Sequence, residues 1–150
     1  MDDEQVLLRG VTHHAVWPPQ ETMVATCSSC QRYFPETPIP QETHECGMYG
    51  FWSKRPFVPY MLARSPIVIG WSSYWGRIIQ HEDGFRAQYA YPMELWVMPV
   101  YIVYGVDPHP SFLSERTLDV FTRGLQKNYA VEVGVADSEL VRLATAYEEG

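Results

Sequence analysis

All three cysteines of this 150-residue chain fall within twenty residues of one another, as Cys27-Ser28-Ser29-Cys30, thirteen intervening residues, then His44-Glu45-Cys46. A C-x-x-C turn lets two thiolates converge on one ion. An H-x-C pair on extended chain points both side chains to the same side. Three thiolates and an imidazole make the donor set that zinc accepts in closed, tetrahedral structural sites. Cys27, Cys30, His44 and Cys46 are therefore the expected ligands of a structural Zn2+, with His13 or His14 as alternatives to His44. Three other readings compete. A redox pair at Cys27 and Cys30 lacks a legible strand-turn-helix context and has serines at both intervening positions. A disulfide would leave an odd thiol. Buried, inert thiols with His44 on the surface are the third.

A second group of chemically capable residues lies in the run Trp75-Gly76-Arg77-Ile78-Ile79-Gln80-His81-Glu82-Asp83-Gly84-Phe85-Arg86-Ala87-Gln88-Tyr89-Ala90-Tyr91. His81, Glu82 and Arg86, with Arg77 nearby, could bind an anion or polarise a carbonyl as a small enzyme would. Cross-strand charged and polar pairs also dress exposed sheet faces with no catalytic role. The sequence carries no G-x-S-x-G, P-loop, H-E-x-x-H or dinucleotide fingerprint. The zinc-deaminase pattern fails too, since there is no H-x-E and the C-x-x-C precedes the histidine.

Aromatics interleave with bases in the middle of the chain: Phe51, Trp52 and Phe57 around Lys54-Arg55, and Trp71, Tyr74 and Trp75 beside Arg77. Such mixtures stack nucleotides and also form protein hot spots. The formal net charge of −7 divides into −5 for residues 1–50, +3 for 51–90 and −5 for 91–150. An acidic protein gains little long-range attraction to phosphate backbones, which favours a protein partner over nucleic acid. The expected interaction surface comprises Trp52, Lys54, Arg55, Trp75, Arg77, His81 and Arg86.

Elements must hold these groups in place. Eight of the twelve prolines fall between Pro18 and Pro66, so that region reads as loops with extended pieces at 12–17 and 49–53. Few backbone bonds would fix it, and a metal cross-link would; structural zinc contributes on the order of 10 kcal/mol in small modules. Residues 67–104 read as the sheet core. Asp83-Gly84 predicts a two-residue hairpin turn with both turn residues at positive φ. Pairing from it places His81 opposite Arg86 on one face with Arg77, Ile79 and Gln88, and Ile78, Ala87, Tyr89 and Tyr91 on the other. Pro92 is expected to end that strand. Extended chain follows at 94–98 and 100–104, then a loop at 105–110. Ser114 caps a helix predicted from Glu115 to about Lys127, with Asn128 as its stop. A short strand at 130–135 leads to a second helix opened by Asp137 or Ser138, with Leu140, Leu143, Ala144 and Tyr147 on one stripe.

Two stretches, Cys46-Gly47-Met48-Tyr49-Gly50 and the Trp75–Pro92 run, resemble a family of small uncharacterised proteins of actinobacteria and their phages, over about residues 27–98. The family's first motif often reads C-x-C-G-[aliphatic]-Y-A, with a further Cys and a His upstream. Here His44 stands at the first Cys position and Cys27 with Cys30 supply the upstream thiols. That exchange keeps four zinc donors, although the ligand order differs. The resemblance implies a bacterial or phage cytoplasmic setting and carries no activity.

These readings converge on one 150-residue domain of the α+β class: a twisted, largely antiparallel sheet, a zinc-pinned N-terminal loop at 27–46 and two C-terminal helices within 114–149. The acidic N-terminus, without the basic and apolar segments of a signal peptide, points to the cytoplasm. Apolar stretches of only a few residues predict no membrane span. The expected function is a non-enzymatic, zinc-stabilised module that binds a host or cellular protein. A nucleic-acid-binding module built on residues 51–90, and a small enzyme acting through His81, Glu82 and Arg86, are the alternatives.

Overall fold

The computed structural model describes residues 6–9, 15–52, 68–103, 105–107, 109–137 and 139. In chain order the elements are β1 (Met23–Val24), α1 (Ser28–Tyr33), β2 (Met48–Phe51), β3 (Val68–Gln80), β4 (Gly84–Val97), β5 (Val100–Val103), β6 (His109–Phe112), α2 (Glu115–Tyr129) and β7 (Glu132–Val135). The class is α+β, and the main sheet is largely antiparallel. β4 is its organising strand, pairing antiparallel with β2 along Gly84–Ala87 and with β1 at Tyr89–Ala90, and parallel with β7 along Glu94–Val97. β3 joins β4 as its hairpin partner, and β5 with β6 forms a separate two-stranded sheet.

The chain divides into two compact units that share β3 and β4 between them. The first comprises residues 1–20, 57–71 and 92–150. Its core is built from Val6, Leu95, Val97, Leu125 and Tyr129, with Trp17, Leu118, Phe121 and Val133 packed around them. The amphipathic stripe of α2 supplies Leu118, Phe121 and Leu125, as its helical spacing requires. Tyr129, 1 % exposed, accepts from the Leu8 N–H at 2.8 Å and donates to the Trp17 carbonyl at 2.7 Å, which ties the N-terminal segment to the helix. The second unit comprises residues 21–56 and 72–91. It contains β1, α1, β2 and the tip of the β3–β4 hairpin.

Several local expectations are corrected. The hairpin turn lies one residue earlier than predicted: the His81 N–H bonds the Gly84 carbonyl at 2.7 Å, closing the chain around Glu82-Asp83. Neither Asp83 nor Gly84 has positive φ. Gly84 belongs to the ladder instead, opposite Phe51, where a Cβ would run into the Gly50 carbonyl oxygen. The glycine thus serves strand approach, a tertiary demand that overrides the local turn signal. The expected alternation of faces also fails along Gly84–Ala87, which is buried throughout, because the segment around His44 covers what would have been the solvent face. Pro92 does not end β4. It lies between the stretches paired with β1 and β7, and a residue without an N–H is tolerated where those ladders ask for none. The predicted loop at 105–110 is shortened by β6.

Ser114 caps α2 as expected, its Oγ accepting from the Thr117 N–H at 3.1 Å. The helix runs past Asn128, whose side chain donates to the Val6 carbonyl, and stops at Ala130 in the left-handed conformation with φ 54. The second C-terminal helix, with Leu140, Leu143, Ala144 and Tyr147, lies outside the described residues. No helix among the described residues is long and apolar enough to cross a membrane.

Candidate metal centre

α1 brings the first two ligands together. Cys27 is extended at φ −150, the six-residue helix opens immediately after it, and the Gln31 N–H closes the first turn on the Cys27 carbonyl at 2.9 Å. The reading of the C-x-x-C as lacking a strand-turn-helix context is therefore corrected, since β1 precedes it and a helix runs through it; nothing in Ser28–Tyr33 has enough apolar periodicity to announce one. Cys30, 3 % exposed, faces the cluster from inside this helix. A proline-rich turn returns the chain to His44 and Cys46, and Gly47, at φ 108, directs it into β2. A Cβ on Gly47 would sit 2.8 Å from the Pro40 Cβ, so a glycine is needed there twice over, for space and for its backbone angle.

The ligand atoms of Cys27, Cys30, His44 and Cys46 all lie within 4.8 Å of one another. His44 Nδ1 is 3.4 Å from both the Cys27 and Cys30 sulfurs, and Cys30 Sγ is 3.6 Å from Cys46 Sγ. Zinc bonds of about 2.3 Å to sulfur and about 2.0–2.1 Å to nitrogen imply tetrahedral edges of about 3.6 Å (S···N) and about 3.8 Å (S···S). The three separations above are within a few tenths of an ångström of those edges, and the remaining ones stay within 4.8 Å. The three cysteines are free, with sulfurs too far apart for a disulfide. All four predicted ligands converge. His13 and His14 lie outside the described residues.

The thiols are not equivalent. Cys27 is held below the ordinary thiol value, chiefly by the Cys30 backbone N–H. Cys30 is pushed up to about 12, first by burial and then by the Cys27 and Cys46 sulfurs beside it. Thiolate is the metal ligand, so an ion must displace protons here, and its affinity must fall in acid.

Arg86 lies beneath the ligand loop. Only 3 % exposed, it donates through one terminal nitrogen to the carbonyls of Gln41 (3.1 Å), His44 and Cys46 (3.0 Å), and through Nε to His81 Nε2 at 2.9 Å. Its placement on an exposed interaction surface is therefore corrected: the turn that carries two of the ligands folds over β4 and encloses the guanidinium. The three-residue site His81, Glu82, Arg86 loses its cation to this structural use. Arg77 fastens the same turn, Nε donating to the Pro40 carbonyl at 2.6 Å, while the rest of its side chain stays exposed. Gln41 was not singled out by its sequence context, yet its side chain is buried and its Nε2 has no partner among the described residues. It lines a cavity of about 180 Å³ with Tyr33, Phe34 and His44.

Of the remaining surface residues, Trp52 is 56 % and Trp75 40 % exposed, although each leans on a strand aromatic, Trp52 on Phe85 at 4.6 Å and Trp75 on Tyr89 at 5.9 Å. His81 and Glu82 are exposed. Lys54 and Arg55 lie outside the described residues. Comparison of the chain with protein-family models, with curated proteins and with solved structures finds no match in any of the three.

Proposed function

We propose that this chain is a zinc-stabilised, non-enzymatic interaction module, in which Zn2+ held by Cys27, Cys30, His44 and Cys46 links α1 and the proline-rich turn to the sheet. The convergence of those four donor atoms within 4.8 Å carries the reading. Four protein donors fill a tetrahedron, leaving no position for an activated water, which is the arrangement of a structural rather than a catalytic zinc. The interaction role draws support from the exposed Trp52 and Trp75 in the same unit as the ligands, and from the net charge of −7, which favours a protein partner over nucleic acid. The resemblance to proteins of actinobacteria and their phages makes a bacterial host protein in the cytoplasm the partner of choice.

Metal analysis of purified protein tests the centre. One zinc per chain is expected, and Cys46→Ser should lose it together with much of the thermal stability. A folded, metal-free wild-type protein would sink the proposal. For the partner, Trp52→Ala and Trp75→Ala should abolish capture of the bound protein while leaving the zinc in place.

A further inference from the structure

The buried guanidinium of Arg86 has no carboxylate within ion-pair distance among the described residues. A cation enclosed in this way costs a fold heavily unless an opposite charge lies close by. Its acceptors are neutral, three carbonyl oxygens and one ring nitrogen. Two of those carbonyls belong to the metal-ligating residues His44 and Cys46. When a divalent ion replaces three thiol protons, with the imidazole neutral, the resulting centre carries a net charge of −1. One positive charge fixed against the backbone of two ligands neutralises it.

We propose that Arg86 is the counter-charge and positioning residue of the metal centre: it presets the 41–46 turn through its carbonyl contacts and balances the anionic three-thiolate, one-imidazole set. The inference rests on the zinc reading above and extends it to a residue that binds no metal. Partners that orient metal ligands from outside the coordination sphere are worth about 10–100-fold in affinity. Arg86 exceeds a purely geometric support because it contributes charge as well as hydrogen bonds.

The two contributions separate in Arg86→Lys, which keeps the charge and loses the planar fork, and Arg86→Gln, which keeps amide donors and loses the charge. Zn2+ affinity is measured by chelator competition, with Co2+ as a spectroscopic substitute that reports tetrahedral thiolate ligation. Arg86→Gln should weaken Zn2+ binding by about 10–100-fold, and Arg86→Lys by less. Combining Arg86→Gln with Cys27→His provides the decisive comparison, because a two-thiolate, two-imidazole centre is neutral and needs no counter-charge. There the penalty of Arg86→Gln should shrink, whereas a mere tether would give the same penalty in both backgrounds. Equal penalties, or a lysine variant no better than the glutamine one, overturn the inference while the zinc centre stands. A wild-type protein that binds neither Zn2+ nor Co2+ overturns both.

Discussion

The three clustered sulfurs differ from one another in burial and in how they hold their protons. Cys27 is partly exposed and holds its proton weakly because a backbone N–H points at its sulfur, whereas Cys30 and Cys46 are buried. Alkylation depends on access and on thiolate fraction. In chelator-treated protein iodoacetamide should therefore modify Cys27 first and Cys30 last, and reaction at Cys27 should persist to lower pH. Peptide mapping by mass spectrometry checks the order, and uniform labelling would show that the cluster collapses without metal. Zinc-loaded protein should resist modification at all three. The clustering of these four donors was legible from spacing, because the geometry of C-x-x-C and H-x-C is local. The burial of Arg86 was not, since an arginine flanked by Phe85 and Ala87 in a strand looks like any outward-facing base until something covers it.

Among the elements, α2 was the most readable, because its cap and its stripe are encoded within fifteen residues. Its C-terminal end was misplaced. Asn128 is drawn into a tertiary hydrogen bond with Val6, and Ala130 is left to adopt the left-handed turn that glycine adopts without strain. Ala130→Gly is accordingly expected to raise stability by about 1 kcal/mol, read as an upward shift in the denaturant midpoint with an unchanged slope. No gain would mean that the lost alanine preference in the unfolded chain offsets the relieved strain. α1 escaped notice for the opposite reason: six residues with one buried side chain carry too little pattern.

At the scale of the molecule, the two units rest on different physics. The first has an apolar core around Leu95, Val97, Leu125 and Tyr129. The second places a cysteine-bearing helix and a proline-rich turn on β4, held by the ligand cluster and the two arginines. Chelation should therefore act unevenly. Hydrogen exchange followed by mass spectrometry, with and without chelator, should show lost protection in Ser28–Tyr33 and residues 41–51 and preserved protection in Glu115–Tyr129. Equal loss in both regions would mean that the ion supports the whole fold rather than one unit.

Features whose cause lies within a few neighbouring residues were determined by the sequence alone: the four donors that cluster, the Ser114 cap, the helical stripe of α2, the strand character of the middle and the α+β class. Long-range contact decided the rest. Gly84 became a strand residue because β2 approaches it, Arg86 became buried because the turn carrying His44 and Cys46 lies over it, and β4 runs through Pro92, which falls between its ladders with β1 and β7. Each of these depends on residues brought together from distant parts of the chain, and a local pattern contains no record of what will lie on top of it.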